Sequence, residues 1–323
     1  MGKTTLSGTR KATAFLAAVL TLGGAGLVAC SSGEKPVAMR PAQATVPGVT
    51  VKLLGEGAAP RTPLVWFSDP GDQEVNIKTT EGMSQTTTGG KKNQRQDAAS
   101  QAAGNSDATD EQGDLSYEEV TMNLPVKASS STDGNKHKVT VTVGKPTGTN
   151  ADRNEDISTA EGFEISSTST ADGRVSSRTL SAPETATDSA RASIEHALTQ
   201  VTDMPIVFPE QAIGEGATWS VSSRIDGVIS MRQTVTYTLV ERKGQAVRLR
   251  VAVDRAPAVK NLAQTDLNVL DSTTQASGQL NLDLTKPLPV RGRVEIKQTL
   301  TFGKQGSKVR VNQETVQRTE WDS

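Results

Sequence analysis

The sequence predicts a mainly β protein of the α+β class: a curved antiparallel sheet or half-barrel crossed by one amphipathic helix. Three observations lead there. Most apolar residues fall in short runs that alternate with polar ones, the period of a strand with one buried face. Turn residues separate these runs at close intervals, as in hairpins and meanders. Only residues 188–201 carry apolar side chains at spacings of three and four, the period of a helix.

The N-terminal 29 residues precede any of this. Lys3, Arg10 and Lys11 lead an uncharged stretch, residues 12–28, that includes Phe15, Leu16, Val19, Leu20, Leu22 and Leu27. That is the basic region and apolar region of a signal peptide. Thr13, Thr21, Gly23, Gly24 and Gly26 interrupt it, and a lasting membrane span needs about 18 or more largely apolar residues. Arg10-Lys11 is not a twin arginine, so export through the general route is expected. Leu27-Val28-Ala29-Cys30 matches a lipobox, in which the Cys30 thiol accepts diacylglycerol, with palmitate-type acylation completing the anchor. Cys30 is the single cysteine, so no disulfide is available to the body. Cleavage removes Lys3, Arg10 and Lys11 and takes the formal charge from −1 to −4.

Residues 30–47 are expected to form a lipidated N-terminus and flexible tether, rich in Pro, Ala and Ser, and residues 48–323 a single β-rich domain. Val49, Val51 and Leu53 alternate with polar residues as a half-buried strand; Leu64-Val65-Trp66-Phe67 and Val75-Asn76-Ile77 continue the pattern. Residues 84–114 have almost nothing to bury and read as a disordered insert joining two paired strands. Strand patterns resume at 118–126 and 138–143, then at Phe163-Glu164-Ile165 and 175–180, with Asp172-Gly173 as a turn. In the predicted helix Ala190, Ile194, Ala197, Leu198 and Val201 share one face. Ser181 and Glu184 around Pro183 suggest its start, and Pro205 blocks its continuation. Beyond it, Val235, Tyr237 and Leu239 and then Val247, Leu249, Val251 and Val253 make a hairpin about Lys243-Gly244-Gln245. Leu280, Leu282 and Leu284, then Val294, Ile296, Leu300 and Phe302, then Val309 and Val311 after Gly306, extend the meander. A one-sided sheet of this kind needs cover on its apolar face, which the helix can supply.

The run Pro209-Glu210-Gln211-Ala212-Ile213-Gly214-Glu215-Gly216-Ala217-Thr218-Trp219 and the earlier Gly57-Ala58-Ala59-Pro60-Arg61-Thr62-Pro63-Leu64 resemble elements of an uncharacterised actinobacterial family of secreted and lipoprotein domains with a Gly-x-Gly-Ala-x-Trp signature. Ile213 stands where valine is commoner in that signature. The resemblance implies an envelope location and a β-rich fold, and brings no catalytic residues. Physically, Gly214 and Gly216 suit a tight entry turn that delivers Trp219 to a strand as a core anchor, or as the floor of a ligand pocket. Leu54-Gly55-Glu56-Gly57-Ala58 echoes Ile213-Gly214-Glu215-Gly216-Ala217, as an old duplication would.

Chemistry-bearing constellations are sparse. His137 beside lysines and His196 beside Glu195 both read as solvated surface, with no Gly-x-Ser-x-Gly motif or histidine pair at metal spacing. Gly214-x-Gly216 lacks the third glycine of a dinucleotide loop. Asn150, Asp152, Asn154, Asp156, Ser158 and Glu161 fall on the ligand positions of a calcium loop, but Glu155 occupies the required glycine and the flanks read as strands, so an ordinary polar loop is expected. No catalytic residue, cofactor or metal is assigned, and no enzyme is predicted. Aromatic residues at 3% and scattered positive charge argue against a nucleic-acid partner.

The expected role is therefore that of a cell-envelope lipoprotein on the extracytoplasmic face of the cell membrane. Its partners are the membrane, through Cys30, and a lipid or other hydrophobic ligand, or an envelope protein. Two readings stand: a binder or carrier of an apolar ligand, for which half-barrel lipid carriers are the architectural analogy, and a structural or interaction protein with a fully packed core. An internal apolar cavity separates them. Cys30→Ala should remove the lipid mass from the native protein and release it from membranes, because each buried methylene supplies about 0.8 kcal/mol of membrane affinity; intact mass spectrometry checks this, and an unchanged lipid mass is incompatible with the anchor.

Overall fold

The computed structural model describes residues 38–66, 71–89, 115–226, 229–259, 261 and 267–323. The strands are β1 Met39–Ala44, β2 Thr50–Gly55, β3 Gly71–Thr88, β4 Leu115–Asp133, β5 Lys136–Val143, β6 Thr147–Gly148, β7 Glu164–Thr170, β8 Val175–Pro183, β9 Thr218–Ile225, β10 Met231–Lys243, β11 Ala246–Pro257, β12 Asn268–Asp283, β13 Arg291–Gly303 and β14 Arg310–Asp322. Two α-helices interrupt them, α1 Asn154–Ser158 and α2 Asp188–Thr202. Every ladder is antiparallel, and the sheet order is β1-β8-β7-β5-β4-β3-β14-β13-β12-β11-β10-β9-β2, with β6 attached to β4.

The order shows two meanders, β3 to β8 and β9 to β14, zipped together where β14 pairs with β3 from Arg310↔Thr88 to Asp322↔Asn76. The outer edges are β1 and β2, which are not paired with each other. Yet β1 ends at Ala44 and β2 begins at Thr50. A flat sheet of thirteen strands would hold its edges close to 60 Å apart, at about 4.8 Å per spacing. Six residue steps reach only about 22 Å. The sheet must therefore curl until its edges nearly meet, and Arg174 Nη1, in the β7–β8 turn, donates across the gap to Val49 O at 2.9 Å. Register shifts at Leu53/Gly55, Met83/Gln85, Thr168/Ser169, Leu239/Glu241 and Val269/Asp271 are the bulges that let long strands bend. The fold is thus a curled antiparallel sheet left open along one seam.

Inward-facing residues alternate as the sequence predicts: Val75 and Ile77, Leu124 and Val126, Val141 and Val143, Val235, Tyr237 and Leu239, and Leu280 and Leu282 are all buried. The convex face stays wet; Arg318, Glu295, Arg293 and Glu320 form an ion-pair ladder across β13 and β14. The hairpin about Gly244 forms as expected, with φ +61° at that glycine and Lys243 opposite Ala246.

Helix α2 connects β8 to β9 across the seam, but it runs through the concave interior. Ala190, Ile194, Ala197 and Leu198 are buried, and Gln200 Nε2 donates to Arg318 O at 2.8 Å and to Thr319 Oγ1 at 3.1 Å on β14, the wall facing the seam. Its cap is Thr187, whose hydroxyl accepts from Ala190 N at 3.0 Å. The start expected around Ser181 and Glu184 is corrected, because Ser181 and Pro183 complete β8 against β1.

Two further expectations change. Residues 39–44, placed in the tether, form edge strand β1: Pro41 costs no ladder bond at an edge, and Ala44 pairs with Arg178. Leu64 to Trp66 join no ladder; Leu64 is buried, and Trp66 N donates to Ala171 O at 2.8 Å. The expected insert does join two paired strands, β3 and β4, although β3 runs on to Thr88. The rest of that insert, the signal segment, Cys30, the first tether residues and Phe67 lie outside the described residues.

The two echoing glycine elements meet face to face. Gly214 N donates to Glu56 O at 2.9 Å, Ala58 N to Glu215 O at 2.8 Å, and Thr62 exchanges bonds with Ile213 at 3.0 and 3.1 Å. Together with the β2–β9 ladder this fastens the second edge strand. A Cβ on Gly214 would lie 1.7 Å from Ala58 O, so no other residue fits without moving the junction. Gly214→Ala should cost about 2–3 kcal/mol by overpacking. Gly134→Ala, at an open turn with φ +60°, should cost about 1 kcal/mol of left-handed backbone strain. Urea titration of both variants checks the contrast, and equal losses would show that the junction yields freely.

Candidate functional site

The concave face is not filled. Between α2 and the sheet lies a cavity of about 220 Å³. Its buried walls come from strands all round the curl: Ile77 of β3, Val141 of β5, Ile165 of β7, Tyr237 of β10, Val251 of β11, Leu280 of β12, Val294 of β13 and Trp321 of β14. Leu198 and Val201 of α2 cover it, and half-buried Trp66, Ile206, Lys286 and Leu288 form its rim. The β12–β13 loop is held there because Gln73 of β3 donates to Leu288 O at 3.1 Å and accepts from Leu288 N at 3.0 Å.

The segment after α2 plugs the seam. Tyr237 Oη donates to Pro205 O at 2.9 Å, Trp219 Nε1 to Val207 O at 2.9 Å, and Phe208 N to Asp172 O at 2.8 Å. The aromatic rings of Trp66, Phe208, Trp219 and Tyr237 follow one another at centroid separations of 5.2, 6.3 and 5.5 Å, reaching from the rim to the core. Burial pushes the Tyr237 phenol well up from its ordinary value, so it remains a donor. Gly173 belongs to this junction: its φ is +93° and a Cβ would lie 2.4 Å from Ile206 O.

Beneath α2 the interior turns polar. Gln233 Nε2 donates to Asp203 O at 2.6 Å, and Arg255 lies between two glutamines, its Nε donating to Gln233 Oε1 at 2.9 Å and its Nη1 to Gln317 Oε1 at 2.7 Å. Gln317 Nε2 then donates to Glu81 Oε1 at 3.1 Å, and Glu81 Oε2 meets His196 Nε2 of α2 at 2.5 Å. A guanidinium only donates, so each amide oxygen must face Arg255 and each amide nitrogen must face outward along the chain. Burial lowers the Arg255 value, while Asp203 and Glu81 act the other way. Burial likewise raises the Asp203 carboxyl, against the pull of Arg255 and Arg178.

Several expected surface residues prove to be internal or bonded. His137 is buried and lines the cavity, because it shares the inward parity of Val139, Val141 and Val143. His196, on the helix's polar side, is paired with Glu81. Trp219 is fully buried as a core anchor, and Trp66, expected in a strand, and Trp321, which periodicity did not single out, line the cavity. The expected loop over 150–161 is partly helical, and its polar atoms serve local bonds. Asn154 Oδ1 accepts from Gly148 N at 2.6 Å, Asp156 Oδ1 accepts from the Thr187 hydroxyl at 2.6 Å, and Asp156 Oδ2 accepts from Arg153 at 3.2 Å. Among the described residues no group of three or more His, Cys, Asp or Glu side chains is placed to hold a metal. Comparison with protein-family models, with curated proteins and with solved structures finds no match to this chain.

The Glu81–His196 pair makes stability depend on pH. The hydrogen bond that His196 donates to Glu81 raises His196 above the ordinary 6.5, so this contribution is complete below 6.5 and is lost as pH rises through the folded value. The bond from His196 lowers Glu81 below the ordinary 4.5, so that contribution is complete above 4.5 and is lost as pH falls through the folded value. The stability gap between the protein and His196→Ala should be widest between 4.5 and 6.5. The side chains are 65% and 41% exposed, so the gap should not exceed about 1 kcal/mol. Thermal melts across the acid range check this, and a gap that does not vary with pH would count against the pairing.

Proposed function

We propose that this protein is a non-enzymatic envelope lipoprotein, held at the extracytoplasmic face of the membrane by lipid on Cys30, that binds or carries a lipid or other hydrophobic ligand beneath α2. The observation that carries the reading is the cavity of about 220 Å³ with apolar wall residues drawn from nine strands. A smaller apolar cavity, about 150 Å³, suffices for benzene to bind in an engineered protein, and a linear alkyl chain is slimmer. The leader and lipobox support the membrane side of the proposal, as does the resemblance to actinobacterial lipoprotein domains. A purely structural protein with a packed core would leave no such volume, and filling it would strengthen that protein.

Dodecanol, a neutral single-chain probe, should bind the unlipidated Cys30→Ala chain with measurable heat. Adding Val201→Phe, which thrusts a larger side chain down from α2, should weaken that binding about tenfold or more, equivalent to about 1.4 kcal/mol. Isothermal titration checks both. Absence of binding, together with no lipid co-purifying by mass spectrometry, would overturn the reading.

A further inference from the structure

The apolar cavity does not end blindly. A second cavity of about 250 Å³ lies along the open seam, between residues 46–49, the start of β8 and the end of β9. The two cavities share Val175, Arg178, Thr202 and Pro205 as wall residues, so little more than these side chains separates them. Their characters differ: the seam cavity is lined by Arg174, Arg178 and Arg224, with Asp203 and Ser223.

Arg174 and Arg224 have partners of their own. Arg174 holds Val49 O and lies 3.6 Å from Asp172, and Arg224 bonds Asp226 at 3.3 Å. Arg178 is different. Its backbone is fixed by pairing with Ala44 of β1 and Ser167 of β7, and its Nε is buried without a hydrogen-bond partner. Ser223 Oγ, in the same wall, is also buried without one. Buried polar atoms in a native fold are normally satisfied, and these two orphaned atoms belong to residues that line the same cavity, which leaves spare donors at its wall for a ligand that supplies acceptors. The charge balance points the same way. Among the described residues the carboxylates near Arg178 and Arg255 are Asp203 and Glu81; Asp203 is shared between both arginines, and Glu81 already accepts from His196. Burial moreover favours the neutral form of Asp203. The inner end of the seam is therefore short of negative charge, directly beside an apolar cavity.

We infer that the two cavities form one site for a single-chain amphiphile with an anionic head, its alkyl tail beneath α2 and its head group at the seam, accepting hydrogen bonds from Arg178 and the Ser223 hydroxyl. This rests on the proposed binding role and narrows it, from any hydrophobic ligand to one bearing an anionic head such as a fatty carboxylate. An arginine suits such a head because its planar donors match a carboxylate or phosphate edge and its charge persists when buried.

The test compares dodecanoate with dodecanol, which share a tail and differ in the head, on the full chain bearing Cys30→Ala at neutral pH, read by quenching of Trp66 and Trp321. Dodecanoate should bind at least about tenfold more tightly than dodecanol. Arg178→Met should abolish that preference through the dodecanoate arm alone, with dodecanol affinity within about twofold of its starting value; Arg178→Lys should keep most of the preference. Ser223→Ala, a milder change that keeps the fold intact if Arg178→Met does not, should weaken dodecanoate alone by a few-fold. Equal affinity for the two probes with Arg178 present would overturn the inference while leaving the cavity as an apolar site. A preference that survives Arg178→Met and Ser223→Ala would place the head elsewhere and overturn it as well. Failure of both probes would instead remove the proposed binding role, and this inference with it.

Discussion

Residues 45–49 impose the constraint on which the architecture depends. They join strands that lie at opposite ends of the sheet order, and a chain that short cannot span an open sheet of thirteen strands. The edges are drawn together, the sheet curls, and one face becomes an interior. A sheet curled this widely encloses more space than its own inward side chains fill, since barrel width grows with strand number. Helix α2 occupies part of that space, and its small Ala190 and Ala197 let it lie close to the wall. What it leaves uncovered is the cavity.

The same geometry explains why the interior is divided. Where Tyr237, Leu280, Val294 and Trp321 face inward, the sheet offers only apolar surface. Two to four residues along β10, β13 and β14, and on neighbouring β11, Gln233, Gln298, Thr319 and Arg255 are buried instead. Gln233 and Arg255 tolerate burial because they are bonded in sequence, in a chain that runs from the carbonyl at the end of α2 to the histidine on its side. Such a chain adds little net stability compared with well-packed apolar residues, but it tolerates only one placement of the helix. Apolar contact alone would allow α2 to slide along the concave surface; the fixed directions of these hydrogen bonds oppose that.

Much of this was legible in sequence, and the exceptions have physical reasons. Alternation located the long strands, the three-and-four spacing located α2, and the polar stretch between β3 and β4 was correctly placed between paired strands. Strand β1 escaped because an edge strand can be half-exposed and carry a proline, so its composition resembles a stalk. The cavity escaped because its walls come from ten strands, and no local pattern reports how far apart they stand. His137, Gln233 and Arg255 were readable in principle. Each sits on the inward parity of its strand, with Val139, Val235 and Val253, and only the habit of assigning polar residues to the surface hides them. Arg178 gave a weaker signal, on the parity of Leu180 and Ala182 but in a strand of mixed burial.

The position of β14 bears on how such a molecule assembles. Each meander pairs neighbours in sequence across connections far shorter than the span of the β14–β3 ladder, which joins residues more than two hundred positions apart, as in Asp322↔Asn76. Contacts of that span are entropically slow to form. Until they do, each half presents its concave apolar face to water and an unpaired edge to other chains. The halves are united by the single β14–β3 ladder, so until it forms the molecule consists of two unfinished surfaces, each awaiting the other.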